Sequence, residues 1–367
     1  MKIAVIGRGL WGAAAARHLA LSGADVTLIG PSEPVDKTAH PGVFGSHYDE
    51  GRITRKNASD PYWARISIAS IDRYAEIEAQ SGIGFYTEAG AVLAGGADYM
   101  ALVEASRAAC DISCDMLDRA ALAQRFAFFD FPDHFTGYHE VTRAGHISPR
   151  RLVEAQTKAA QNLGAKLLPE TVDGINERPN TVEVITAHGR HSFDQVLVAA
   201  GYNTDRVLGR DAQLQVFART IAFFEVPPAE ALRLKSMPTL IYEAAEDPYL
   251  LPPIKYPDGK LYIKLGGDPD DVPLSSEKDV GDWFRSGGNR AVRDHQAGIL
   301  RSLMPDLNFT SLSMGACVTS WTKDRRPEVA RLSNRLSVCT GGNGAGAKCS
   351  DEIGRLGAAL ILEETGD

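Results

Sequence analysis

The apolar and polar positions of this chain mark its elements early. Ile3-Ala4-Val5-Ile6 is an unbroken apolar run, glycines follow at once, and an alanine-rich segment from Gly12 to about Leu21 stops at Ser22-Gly23. This predicts a buried strand, a tight loop and a helix with its own stop signal. Asp25-Val26-Thr27-Leu28-Ile29 reads as a second strand. Residues 31–62 have no helical period and are rich in Gly, Pro and polar residues, which predicts a long functional loop. Helical spacing returns over 63–81 and 99–126, on either side of a strand pair at 84–95 that turns at Gly90. Residues 145–149 lead into a helix at 150–163, then a strand at 165–168. Segments 181–187 and 190–194 read as a hairpin around His188-Gly189, and 196–201 as a buried strand ending in glycine. Residues 217–265 are mostly strand-like and 276–303 helical, and the chain closes with a strand at 336–339, a glycine loop and a helix over 350–363.

Composition narrows the class. A length of 367 residues suggests two domains, and 44% hydrophobic with 23% charged residues excludes disordered and fibrous chains. Lys plus Arg is 39 and Asp plus Glu is 47, a net charge of −8, so no nucleic-acid partner is expected. The five cysteines are odd in number and scattered, which argues for a reducing compartment. Cys110 and Cys114 have no histidine or second cysteine pair beside them, so no metal site is expected. The first apolar run is too short for a signal peptide and no stretch is long enough to span a bilayer, so the expectation is a cytoplasmic protein with no membrane partner.

Two glycine loops carry the chemistry. Gly7-Arg8-Gly9-Leu10-Trp11-Gly12 matches G-x-G-x-x-G between a strand and a helix, the context that motif requires. Gly7 permits the turn, Gly9 lets the backbone approach a pyrophosphate, and Gly12 lets helix and strand pack closely. The motif, with Leu10 and Trp11 in it, leads into the helix whose free N–H groups and dipole favour phosphate. The carboxylate that usually ends the second strand and binds the ribose is missing, because Gly30 stands there. Glu33 reaching back, Ser32, or backbone groups are the candidate replacements. The loop alone does not separate FAD from NAD(P), and a missing acid tilts toward a 2′-phosphorylated cofactor. The second loop, Thr340 to Lys348, holds Gly341, Gly342, Asn343, Gly344 and Gly346. Its backbone amides are free to face an anion such as a reduced flavin ring, and Lys348 follows at the helix start.

Taken together these segments resemble the D-amino-acid-oxidase superfamily of FAD-dependent oxidoreductases, nearest its monomeric sarcosine oxidase and N-methyltryptophan oxidase branch. The blocks that carry the resemblance are Gly7–Gly12, the run Gly45-Ser46-His47 through Arg52-Ile53-Thr54-Arg55, Gly315-Ala316-Cys317 with Thr322-Lys323-Asp324, and Gly341–Lys348. It implies an α/β fold with a Rossmann-like FAD-binding domain built from 1–82, 145–215 and 312–367. An α+β substrate-binding domain with a mixed sheet would occupy 83–144 and 216–311. It also implies oxidation of a secondary amino acid by a monomer. Hydride passes to flavin N5, the imine hydrolyses, and O2 reoxidises the flavin to give hydrogen peroxide.

Residue roles follow from the same resemblance. Arg55 and Lys348 match the pair that holds the substrate carboxylate, a task suited to a guanidinium fork. Arg52 matches the arginine beside the flavin ring, with Gly45, Ser46 and His47 in the loop facing it. Lys264, inside the apolar run Leu261–Leu265, matches the lysine that promotes oxygen reduction. Cys317 matches the cysteine bonded to the flavin 8α-methyl. Two positions depart from the branch: Asp268 stands where a histidine is common, and Thr319 where an aromatic residue is. Sarcosine and iminodiacetate lead as substrates, the second needing an extra cation from Arg219, Lys255 or Lys264, and glycine remains open. The competing readings are a flavin dehydrogenase with another electron acceptor, an NAD(P)-dependent dehydrogenase, and a non-catalytic flavin-binding module.

Overall fold

In the computed structural model, residues 1–211, 213–244 and 247–363 are described. The first strand, Lys2–Ile6, is central to a six-stranded sheet. It is flanked in parallel by Asp25–Ile29 and Gln195–Val198. Lys166–Leu168 extends one side, and Leu336–Thr340 with the antiparallel Glu328–Arg331 extends the other. Both faces are covered, which is why these strands are continuously apolar rather than alternating. Ile3, Val5, Val26, Leu28 and Leu197 pack on the helices Leu10–Leu21, Pro149–Asn162 and Ser350–Leu362. Ala4, Ile6, Ile29, Val196 and Val198 pack on a three-stranded antiparallel sheet whose core residues are Val172, Val182, Val184 and Phe193. The period of two along each strand thus feeds two separate cores.

The second large sheet has eight strands. Its order is Ser311–Trp321, Gln215–Glu225, Leu261–Gly266, Tyr249–Lys255, Thr239–Tyr242, Ala91–Gly95, Thr136–Glu140 and Asp115–Leu117. All neighbours are antiparallel except Thr239–Tyr242 with Ala91–Gly95, so the sheet is mixed. One face packs its apolar residues, Ile263 and Leu265 among them, against the helix Arg290–Leu303. A small sheet of Arg52–Thr54, Gly145–Ile147 and Tyr86–Glu88 stands between the two large ones in sequence. Among the described residues no helix is long and apolar enough to cross a membrane.

Several elements differ from the sequence expectation. The helix expected over 63–81 is two, Pro61–Ile71 and Tyr74–Ser81. The break lies at Asp72-Arg73, where Arg73 is drawn into ion pairs with Asp351 and Glu352 of the last helix. The strands expected as a pair at 84–95 join different sheets, because Gly90 turns the chain with φ +74° between them. The helical stretch 99–126 is interrupted by the strand Asp115–Leu117, after which the Asp118 carboxylate caps a new helix through the Ala121 N–H at 2.8 Å. The expected boundary at 312 falls inside Ser311–Trp321. That strand pairs along its length with Gln215–Glu225, so by sheet membership the chain returns to the nucleotide-type unit only after Trp321.

Two glycines give opposite expectations for stability. A methyl group at Gly12 would lie 1.8 Å from the Gly7 carbonyl oxygen, so Gly12→Ala is expected to cost about 1–3 kcal/mol through overpacking. Gly298 sits in the helix Arg290–Leu303 with nothing within 4 Å, so Gly298→Ala should stabilise by about 0.5–1 kcal/mol. Thermal or urea unfolding of the two variants checks both signs.

Candidate active site

A cavity of about 840 Å³ opens at the carboxyl ends of the parallel strands, bounded on another side by the eight-stranded sheet. Its size and place suit a large ligand at the edge of an α/β sheet. Both glycine loops line it, through Gly7, Gly9, Leu10, Trp11, Gly342, Gly344, Gly346 and Lys348. Gly7 turns with φ +114°, and an added methyl there would strike the Ala199 carbonyl at 2.2 Å. The helix Leu10–Leu21 has no side-chain cap at Gly9 and no acid in its first turn, so its first N–H groups are free for phosphate. At Gly9 a methyl would meet nothing nearer than His47 Nδ1 at 4.0 Å, which leaves this backbone open to a ligand. Trp11 Nε1 donates to the Gly346 carbonyl at 2.8 Å and joins the two loops into one wall. Gly12 lies beneath the wall rather than on it. Asn343 does not line the cavity. Its amide donates to Gly341 O at 2.6 Å while its Oδ1 accepts from Thr322, fixing the shape of the loop.

The strand end at Gly30 explains the missing acid. A side chain at Gly30 would meet the Arg8 backbone nitrogen at 2.5 Å. Arg8 itself lines the cavity here and donates to Ser32 Oγ at 3.1 Å. Glu33 is turned away and engaged by Arg150 and Lys37, and neither Ser32 nor Glu33 lines the cavity. Arg8 was missed by sequence reasoning, although its place between two motif glycines was a signal.

The cavity wall around Arg52 and Cys317 is organised by Asp49, a buried carboxylate that sequence reasoning left without a role. Lys264 Nζ donates to Asp49 Oδ2 at 2.5 Å, Arg52 Nη1 contacts the same oxygen, and Tyr256 Oη donates to Oδ1 at 2.9 Å. Burial alone would raise the Asp49 carboxyl, but Lys264 and Arg52 hold it well below the usual carboxylate range. Burial, then Arg52, pulls Lys264 down to about 8 against the opposing effect of Asp49. Lys264 points away from Ile263 and Leu265, is fully buried, and does not line the cavity. Arg52 does line it, and its Nη2 donates to Ser46 O at 3.2 Å and Cys317 Sγ at 3.3 Å. Cys317, Gly45, Ser46 and His47 complete this wall, and burial holds His47 neutral with a pKa lowered to about 4.

Arg55 and Lys348 form a separate cationic corner. Both line the cavity, and they are close enough for each charge to act on the other. Burial, the main cause, lowers the Lys348 pKa and Arg55 adds to it, while Glu140 opposes it. Arg55 Nε is buried without a partner. No protein acceptor meets Lys348 Nζ among the described residues. Glu140, also missed from sequence, accepts the backbone N–H groups of Lys56 and Asn57 at 2.9 and 2.7 Å and sets the loop after Arg55. Of the proposed second cations, Arg219 lines the cavity but is paired with Asp271, and Lys255 is exposed and does not line it.

Residues 2–360 match the DAO family, described as FAD dependent oxidoreductase. The chain belongs to that family. It is a FAD-dependent oxidoreductase. It is 27% identical to the monomeric sarcosine oxidase of Streptomyces avermitilis, over 99% of this chain and 94% of that protein. It is 22% identical to the N-methyl-L-tryptophan oxidase of Citrobacter koseri, covering 96% and 92%. Among solved structures, it shares its fold with NikD, an unusual amino acid oxidase of nikkomycin biosynthesis (TM-score 0.76, 19% identity, 100% and 95% coverage). It also shares it with amadoriase I of Aspergillus fumigatus (TM-score 0.75, 21% identity, 98% and 86% coverage). The free helix N-terminus, the open glycine backbone and the second loop joined through Trp11 fit FAD.

Two consequences of the oxidoreductase's buried charges are measurable. Asp49→Asn leaves Lys264 and Arg52 buried without their counter-charge and is expected to cost about 3–5 kcal/mol. Tyr256→Phe removes one hydrogen bond and should cost about 1.5–3 kcal/mol. Urea unfolding separates the two. His47 and His146 are both lowered by burial from 6.5 to about 4. Between those values the unfolded chain binds protons that the folded chain does not. Their contribution is whole above pH 6.5 and is lost as pH falls toward 4, and His47→Gln with His146→Gln should flatten that part of the stability curve.

Proposed function

We propose that the protein is an oxidase of an N-substituted amino acid, most simply an N-substituted glycine. The observation that carries this reading is the pair Arg55 and Lys348, a half-buried and a buried cation on the cavity wall, with Arg55 Nε buried and unpartnered. A substrate carboxylate offers both of them charge-assisted hydrogen bonds. The relatives from Streptomyces and Citrobacter, a monomeric sarcosine oxidase and an N-methyl-L-tryptophan oxidase, support the same substrate class.

FAD, when bound, supplies a two-electron acceptor that takes a hydride equivalent from the carbon beside the substrate nitrogen. The chain's own residues hold and tune the reactants. Gly7, Gly9, Leu10 and Trp11 would hold the phosphates through their N–H groups, and Gly342, Gly344 and Gly346 would hold the ring. Gly12 and Asn343 support those loops from behind. Arg8 would meet the ribose, in place of the Ser32 and Glu33 expected from the sequence. Arg52, Arg55 and Lys348 lower the pKa of a bound amine by like-charge repulsion, which favours the neutral form that reacts. Arg52 donates a hydrogen bond to Cys317 Sγ, and Cys317 is proposed as the covalent attachment point of the flavin. Gly45, Ser46 and His47 complete the ring wall, with a neutral His47 serving as a hydrogen-bonding group rather than a charge. Lys264 is proposed as the cation that assists oxygen reduction, giving hydrogen peroxide.

One observation favours a second reading. Lys264 is fully buried and paired with Asp49 rather than displayed in the cavity. A cation so neutralised assists oxygen less, which supports a dehydrogenase that passes electrons to another acceptor.

Oxidation of sarcosine with equal yields of hydrogen peroxide and product supports the oxidase. Turnover only with an artificial acceptor dye moves the reading to a dehydrogenase. Flavin bands that stay with the pellet after acid precipitation, and pass to the supernatant in Cys317→Ser, support the covalent link. Arg55→Ala and Lys348→Ala are each expected to lower kcat/KM about 10–100-fold, the loss of one charge-assisted bond.

A further inference from the structure

The cavity has a wall of the opposite sign. Asp268 follows the strand Leu261–Gly266 and lines the cavity four residues past Lys264. Its Oδ1 accepts the Thr220 backbone N–H at 2.8 Å, and no protein donor meets its Oδ2 among the described residues. The neighbouring cation is occupied: Arg219 is paired with Asp271 and donates to the Ala218 carbonyl at 3.0 Å. Asp268 is therefore left with an open acceptor facing the cavity.

Its position is fixed from behind. Gln296, fully buried, donates to the carbonyls of Thr220 at 2.9 Å and Gly267 at 3.1 Å. The Asn289 N–H donates to Thr220 Oγ1 at 3.1 Å. Thr220 and Gly267, the two residues that hold Asp268, are thus clamped by one side chain. Tyr249 packs over Gly266, where an added methyl would sit 2.3 Å from its hydroxyl, and lines the same wall toward Arg52 and Cys317. The charges that act most on Asp268 are Arg219 and Asp271, whereas Arg55 and Glu140 act on Lys348. The acidic residue and the cationic corner line one cavity.

We infer that Asp268 reads the substituent on the substrate nitrogen. With the carboxylate on Arg55 and Lys348, the pocket takes N-substituted glycines whose substituent ends in a hydrogen-bond donor, a hydroxyl or an ammonium, and rejects those ending in a second carboxylate. A donor completes the open acceptor of Asp268, whereas a second carboxylate meets it as a like charge in a partly desolvated site. The inference rests on the oxidase reading and narrows it, turning away from iminodiacetate. Burial lifts the Asp268 carboxyl to about 6, so it is ionised in mildly alkaline assays.

The test uses the purified holoenzyme and follows anaerobic bleaching of the flavin by sarcosine, N-(2-hydroxyethyl)glycine and iminodiacetate. The hydroxyethyl compound is expected to exceed iminodiacetate in the second-order bleaching constant by about tenfold or more. Asp268→Asn keeps an acceptor for Thr220 and removes the charge, and should shrink that ratio at least about fivefold. Equal constants in the wild type, a preference for iminodiacetate, or an unchanged ratio in Asp268→Asn overturns the inference. The wild-type comparison decides even if the variant does not fold. Failure of the underlying amine-oxidation reading looks different: dithionite bleaches the bound flavin but none of the three amines does, which overturns both.

Discussion

A buried carboxylate between two cations is the constraint on which the site depends. Asp49 holds Lys264 from the eight-stranded sheet and Arg52 from the small sheet, and Tyr256 adds a hydrogen bond from a third segment. Each cation would be costly to bury alone. Their shared acid makes the burial tolerable and fixes where Arg52 points, toward Cys317 and the cavity. The cluster still carries one more positive than negative charge. With Arg55 and Lys348 against Glu140, the second corner does the same. The result is a cavity biased toward anions at two places, suited to a substrate carboxylate and to negative charge on a reduced ring.

Much of this was legible in the residues. The glycine loops were readable because a tight turn before a helix needs glycine at set positions, and both loops line the cavity. The apolar runs of Lys2–Ile6 and Gln195–Val198 marked a sheet covered on both faces. Lys264 stood out because a lysine inside an apolar strand demands a partner. Its partner did not, since Asp49 lies 215 positions away in a stretch that reads as polar loop. Glu140 was hidden for a similar reason: it caps backbone groups of Lys56 and Asn57, and a backbone acceptor leaves no pattern in sequence. The single helix expected over 63–81 failed because a tertiary ion pair at Arg73 outweighed a continuous helical period.

The absence of an acid at Gly30 illustrates how a motif can be rebuilt rather than lost. Arg8 and the strand end approach so closely that no side chain fits at Gly30, and the guanidinium of Arg8 occupies the neighbourhood instead. Where a carboxylate was expected a guanidinium stands, which changes the sign of the charge at that end of the cavity.

The hydrogen bond from Trp11 to Gly346 joins residues 335 positions apart, and the central strand Lys2–Ile6 gains its Gln195–Val198 neighbour only after much of the chain intervenes. During synthesis on the ribosome, the amino-terminal strand and helix emerge first and must wait for both. Until the residues near Gly346 have left the exit tunnel, the nucleotide cradle has one wall. Capture of the cofactor is thus a late event in biogenesis, and long-range pairing of this kind makes the final assembly step slow.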